Sequence, residues 1–141
     1  MADQALSGLE LRSLITGNGE LKLSFERVVV AEPATGEIVV QIEATPLNPS
    51  DIGLIFGAAD ISTLTSIGSG ENAVVTARVP PDRLDSMAAR FGQSLTTGNE
   101  GAGTVVKAGS SEVAQRLLGK RVAMIGGSMH AQFRVLDGGG G

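Results

Sequence analysis

The chain has 141 residues, enough for one domain with a core of its own. It carries 20 Gly, four Phe and no Tyr or Trp, so the core has to rest on Val, Ile, Leu and Ala. A net charge of −4 with no basic stripe argues against nucleic acid, and the absence of Cys excludes disulfides, thiolate zinc sites and a cysteine nucleophile.

The opening stretch "MADQALSGLELRS" is mixed and charged, unlike a signal peptide, and no apolar run approaches the ~20 residues that span a bilayer. A cytoplasmic protein without membrane contact is the expectation. "ELKLSFERVVV" alternates at Leu21, Leu23 and Phe25 before turning continuously apolar, a strand pattern. After the turn "EPATGE", "EIVVQIEA" places Ile38, Val40 and Ile42 on one face of a second strand. The two prolines of "TPLNPSD" break the ladder, and Ser50 or Asp51 can cap a short helix over "DIGLIF" that Gly57 ends.

Residues 58–71 are small and polar and read as a loop. "NAVVTARV" is a short strand. "PPDRLDSMAARFG" reads as a helix, with Leu84, Met87, Ala88 and Phe91 at helical spacing and Gly92 as its stop. "TVVKAG" is a strand, "SSEVAQRLLG" a short helix, and "KRVAMIGG" and "HAQFRVL" are two more strands. Residues 138–141 are four glycines, read as a flexible tail. About six strands and three short helices describe a mostly β domain, a partly open barrel with small helices. No G-x-G-x-x-G and no G-x-x-x-x-G-K-[ST] occurs, so no phosphate-cradling loop is encoded.

Three stretches then fall in order: "GEIVVQIEATPLNPSD" (36–51), "GNEGAGTVVKAG" (98–109) and "LLGKRVAMIGGSMHAQFRVL" (117–136). Together they resemble the N-terminal catalytic domain of the medium-chain dehydrogenase/reductase superfamily, in particular its zinc-independent quinone oxidoreductase and enoyl reductase branches. The resemblance implies a GroES-like β-barrel over residues 1–137, normally followed by a Rossmann domain that holds NADP or NAD. The segment 58–97, longer than the proline-rich link of simple quinone reductases, is read as an insertion with one strand and one helix. Nothing after Leu136 resembles the Rossmann half, so the chain alone is expected to bind no dinucleotide and to be inactive without that domain. Ile55 stands where many relatives carry Arg.

In zinc-dependent relatives a His and a Cys ligate metal at the positions held here by Asn99 and Asn48. Amides are poor zinc ligands, so no metal is expected. The resemblance places Asn48 beside the nicotinamide, where its carboxamide can hold the cofactor amide or a substrate carbonyl; the competing role is a local Asx turn. Asp51 is a second catalytic candidate, with capping of the following helix as its alternative. Asn99 and His130 are candidate cofactor contacts. His130 could donate a proton near the cleft, or be packed in a strand. Glu100 reads as a structural carboxylate in its Gly-rich turn, and Ser128 as a hydroxyl donor without a base to activate it. The expected partners are a small-molecule substrate and the missing Rossmann domain, and a homodimer is compatible with the resemblance. The alternative is a non-enzymatic GroES-like binding or assembly module.

Overall fold

A computed structural model describes residues 5–139. The chain is mostly β, built on two antiparallel sheets, neither closed on itself. Its contacts divide into two compact units. One holds the residues up to Glu10, Arg27–Pro46 and Gly98 onward; the other holds Leu11–Glu26 and Leu47–Thr97. Strands β1 (Ser7–Ile15) and β2 (Glu20–Val29) contribute residues to both.

The first unit centres on β3 (Glu37–Ala44), β7 (Glu100–Ala108), β8 (Arg121–Ile125) and β9 (Phe133–Asp137), in the order β8-β7-β3-β9. The period-two pattern of β3 turns Ile38 and Val40 onto one face, where they meet Val105, Met124 and Met129, all 5 % exposed or less. Each such side chain contributes about 1.5–3 kcal/mol of burial. Helix α3 (Glu112–Leu117) closes this core with Ala114, and its N-cap Ser111 accepts the Ala114 N–H at 3.1 Å. A Cβ at Gly103 would lie 2.0 Å from the Gln41 carbonyl oxygen, so glycine alone permits the close pairing of β7 with β3. Of the glycine tail, Gly138 donates its N–H to the Gly36 carbonyl at 2.9 Å; residues 140–141 lie outside the described residues.

The second unit contains β4 (Asp60–Ile67), β5 (Val74–Arg78), β6 (Leu95–Thr96) and the parts of β1 and β2 that run through it. The five strands follow the order β4-β5-β2-β1-β6. Ile15, Leu21, Leu23, Ala77 and Val79 form its core together with Ile55 from α1 (Pro49–Phe56). Three expectations change here. Residues 58–71 are largely the strand β4, paired with β5 at Thr65–Thr76, Ser66–Val75 and Ile67–Val74. It is an edge strand exposed along most of its length, so its Thr, Ser and Ile show no apolar alternation. The helix read over 81–92 is a single α turn, α2 (Pro81–Leu84), followed by a 3₁₀ turn over Asp85–Arg90. There Ser86 donates its hydroxyl to the Arg83 carbonyl, a local bond that competes with a regular helix. The segment 58–97 therefore holds three strands rather than one. Strands β1 and β6 carry no clear alternation; in β1 the charged Arg12 interrupts the pattern and reaches Glu26 at 3.5 Å.

Candidate functional site

Asn48 and Asp51 are brought together at the start of α1. Asn48 is the N-cap in an extended conformation, between the fixed backbone of Pro46 and Pro49 at the first helical position. The Asp51 carboxylate, three residues on, turns back and accepts the Asn48 backbone N–H at 2.8 Å. Asn48 in turn offers its carbonyl to the Asp51 N–H at 2.9 Å. With the Asn48 side chain also facing the Asp51 backbone N–H, the pair forms a capping box, which satisfies groups that a helix start leaves open. Asp51 is 0 % exposed, and its second oxygen, Oδ1, has no hydrogen-bond partner among the described residues. The negative charge lies in the first turn, where the helix dipole favours it. Asp51 thus acts on Asn48 through the backbone, fixing the residue that carries the carboxamide.

The other end of α1 is held by residues that sequence reasoning passed over. Gly57 ends the helix at φ +56, and a Cβ there would lie 2.9 Å from Ile15 Cδ1 and 3.1 Å from Arg90 Nη1. Arg90 Nη2 donates to the Leu54 carbonyl at 2.9 Å and to the Ser13 hydroxyl at 3.1 Å. Ser13, itself 0 % exposed, donates to the Ile55 carbonyl at 2.7 Å. The desolvation that comes with this half-buried position lowers the Arg90 pKa from its ordinary value. Its only sequence signal was a charge between the apolar positions Met87 and Phe91 of the expected helix.

Asn99 and His130 lie in the first unit, on two backbone segments joined by hydrogen bonds. Gly126 donates its N–H to the Asn99 carbonyl at 2.9 Å, and Met129 donates to the Gly98 carbonyl at 3.3 Å. Gly98 takes φ +100, and a Cβ on it would fall 2.4 Å from the His130 amide nitrogen. The glycine that opens "GNEGAG" is therefore required by close backbone approach as well as by conformation. Met129, 1 % exposed, anchors the 126–130 loop, and Ser128 at φ +66 is its one strained non-glycine position. Glu100 begins β7 opposite Ile125. It also lines an open, mainly apolar cleft of about 600 Å³ in the same unit, with Thr45, Pro46, Met124 and Ile125.

Among the described residues no group of three or more His, Asp or Glu is placed to hold a metal ion. Nor is any helix among them long and apolar enough to cross a membrane.

This architecture is a GroES-like fold. Three solved structures share it. One is a protein assigned as an NADPH:quinone reductase of Mesorhizobium loti (21 % identity, TM-score 0.53, 98 % of this chain and 36 % of that one). A second is assigned the same activity in Bacillus thuringiensis (22 % identity, TM-score 0.59, 94 % and 32 %). The third is the CurF ER cyclopropanase of curacin A biosynthesis (24 % identity, TM-score 0.55, 92 % and 33 %). The chain spans about a third of the length of each. Comparison with family models and with curated proteins gives no match.

Proposed function

We propose that this chain is the substrate-side domain of a zinc-independent, NADPH-dependent oxidoreductase that reduces a small quinone or conjugated carbonyl. The observation that carries the reading is the fold shared, over more than nine-tenths of this chain, with two proteins assigned as NADPH:quinone reductases. The ordered motifs around Asn48, Asn99 and Ser128 support it.

When bound in the complete enzyme, NADPH would supply the hydride, with its two electrons, that reduces the acceptor. Everything else falls to protein groups and solvent. Asn48 presents its carboxamide at a helix start fixed by Asp51, and its N–H groups can orient the acceptor oxygen or the nicotinamide amide without a proton transfer of their own. Donors aimed at the acceptor oxygen stabilise the negative charge that develops there, and water delivers the final proton. Asn99 and His130 are proposed as further cofactor contacts. No pyrophosphate-binding glycine loop lies within the 141 residues. The proposal therefore assigns nucleotide binding to a partner Rossmann domain and expects no turnover from this segment by itself.

The test is NADPH oxidation in the presence of a small benzoquinone or an enone, with this chain joined to its nucleotide-binding half. Acceptor-dependent oxidation is expected; its absence with both acceptor classes, in a protein shown to bind NADPH, overturns the reading.

A further inference from the structure

Helix α1 has Asn48 at its N-cap and no basic residue in its last turn, so nothing of its own complements the carbonyls at its C-terminal end. The cation there comes from the 3₁₀ turn of Asp85–Arg90, within the 58–97 segment. We infer that Arg90 is a positioning residue for Asn48: it braces the far end of α1 and so sets where the helix presents the carboxamide. The inference rests on the reading of Asn48 as the group that meets the reactants.

Three observations carry it. The guanidinium reaches the Leu54 carbonyl directly, and it reaches the Ile55 carbonyl through the Ser13 hydroxyl, so two successive carbonyls of the last turn are tied to one side chain. Among the described residues no carboxylate pairs with Arg90: its partners are a carbonyl and a hydroxyl, and its Nε is buried without a hydrogen-bond partner there. A half-buried guanidinium committed to a helix end rather than to an acid is costly to place, so its contacts there are specific. Finally, Gly57 leaves the space that the guanidinium occupies, since any Cβ would press on Nη1, Ile15 and the Met87 sulfur together. With eight residues α1 is a short rod, capped at one end by the Asn48–Asp51 exchange and braced at the other by Arg90.

The experiment is ¹⁵N NMR on the whole 141-residue chain, comparing the wild type with Arg90→Met, Arg90→Lys, Ser13→Ala and, as a control, Val75→Ala. Val75 packs on the same core but takes no part in the brace. Arg90→Met is expected to shift the Asn48 side-chain amide pair and to lower hydrogen-exchange protection of the Gly57 N–H about tenfold. Arg90→Lys can keep one bond to Leu54 and should recover part of the Asn48 shift. Val75→Ala should lower the melting temperature with the Asn48 resonances in place. If Arg90→Met and Ser13→Ala move Asn48 no more than Val75→Ala does, the inference is wrong. Should Arg90→Met fail to fold, Arg90→Lys and Ser13→Ala decide the matter alone. These resonances report on the brace whether or not a quinone is ever reduced, so the functional reading can fail separately, in the NADPH assay.

Discussion

The carboxylate of Asp51 and the backbone N–H of Asn48 are joined at 2.8 Å, inside a helix start where Asp51 has no exposure to solvent. Removing the acceptor strands a donor at the N-cap. Asp51→Ala should lower unfolding free energy by about 2 kcal/mol, measured by denaturant titration. A variant as stable as the wild type would show that the capping bond contributes nothing.

Gly98 and Gly70 both take positive φ, at +100 and +59, but only Gly98 faces a backbone atom within contact distance. Gly98→Ala should cost about 3 kcal/mol, because strain and a clash with the 129–130 backbone add. Gly70→Ala, with open space around it, should cost about 1 kcal/mol. Equal losses in thermal unfolding would contradict the role given to the close approach.

Asp60 accepts hydrogen bonds from the Ser62 hydroxyl at 2.7 Å and the Ser62 N–H at 3.0 Å. The hydroxyl bond first, then the backbone bond, hold its carboxyl below the ordinary carboxylate value, with a smaller contribution from the charge of Arg83. These bonds favour the charged form. The stability they contribute is full above the unfolded-state pKa and is lost as pH falls through the lowered folded-state pKa. An NMR titration should place the Asp60 midpoint below that of an unstructured aspartate, and Ser62→Ala should move it upward.

On the proposed reading, Asn48 and Asn99 take the positions at which zinc-using members of that family keep a Cys and a His. Zinc binding to the native state would raise the melting temperature. Added zinc should leave it unchanged, and a zinc-dependent rise would contradict the amide reading.

The apolar alternation of Leu21 and Leu23 identified β2, which buries that face, and the apolar residues Ile38, Val40 and Ile42 identified β3, in which Val39 on the opposite face is buried as well. The cap at Asn48–Asp51 was equally open to reading, since a Pro at the first helical position and an acid two residues later form a local signal. What escaped depends on partners far along the chain. Strand β4 is defined by pairing to β5 and has no apolar face of its own. Arg90 meets Ser13 across 77 positions, and a lone arginine on an expected helix gives no hint of such a target. The 3₁₀ turn likewise follows local bonding at Ser86 rather than the periodicity of Leu84, Met87 and Phe91.

Asn48→Ser separates the two roles of this residue, because Ser caps helices about as well as Asn but lacks the carboxamide. The decisive measurement is acceptor-dependent NADPH oxidation by the wild type and Asn48→Ser, each joined to its nucleotide-binding half, with melting temperatures taken in parallel. Turnover should fall at least about tenfold while stability stays within about 0.5 kcal/mol. Undiminished turnover in the serine variant would show that the Asn48 carboxamide does not orient the reactants.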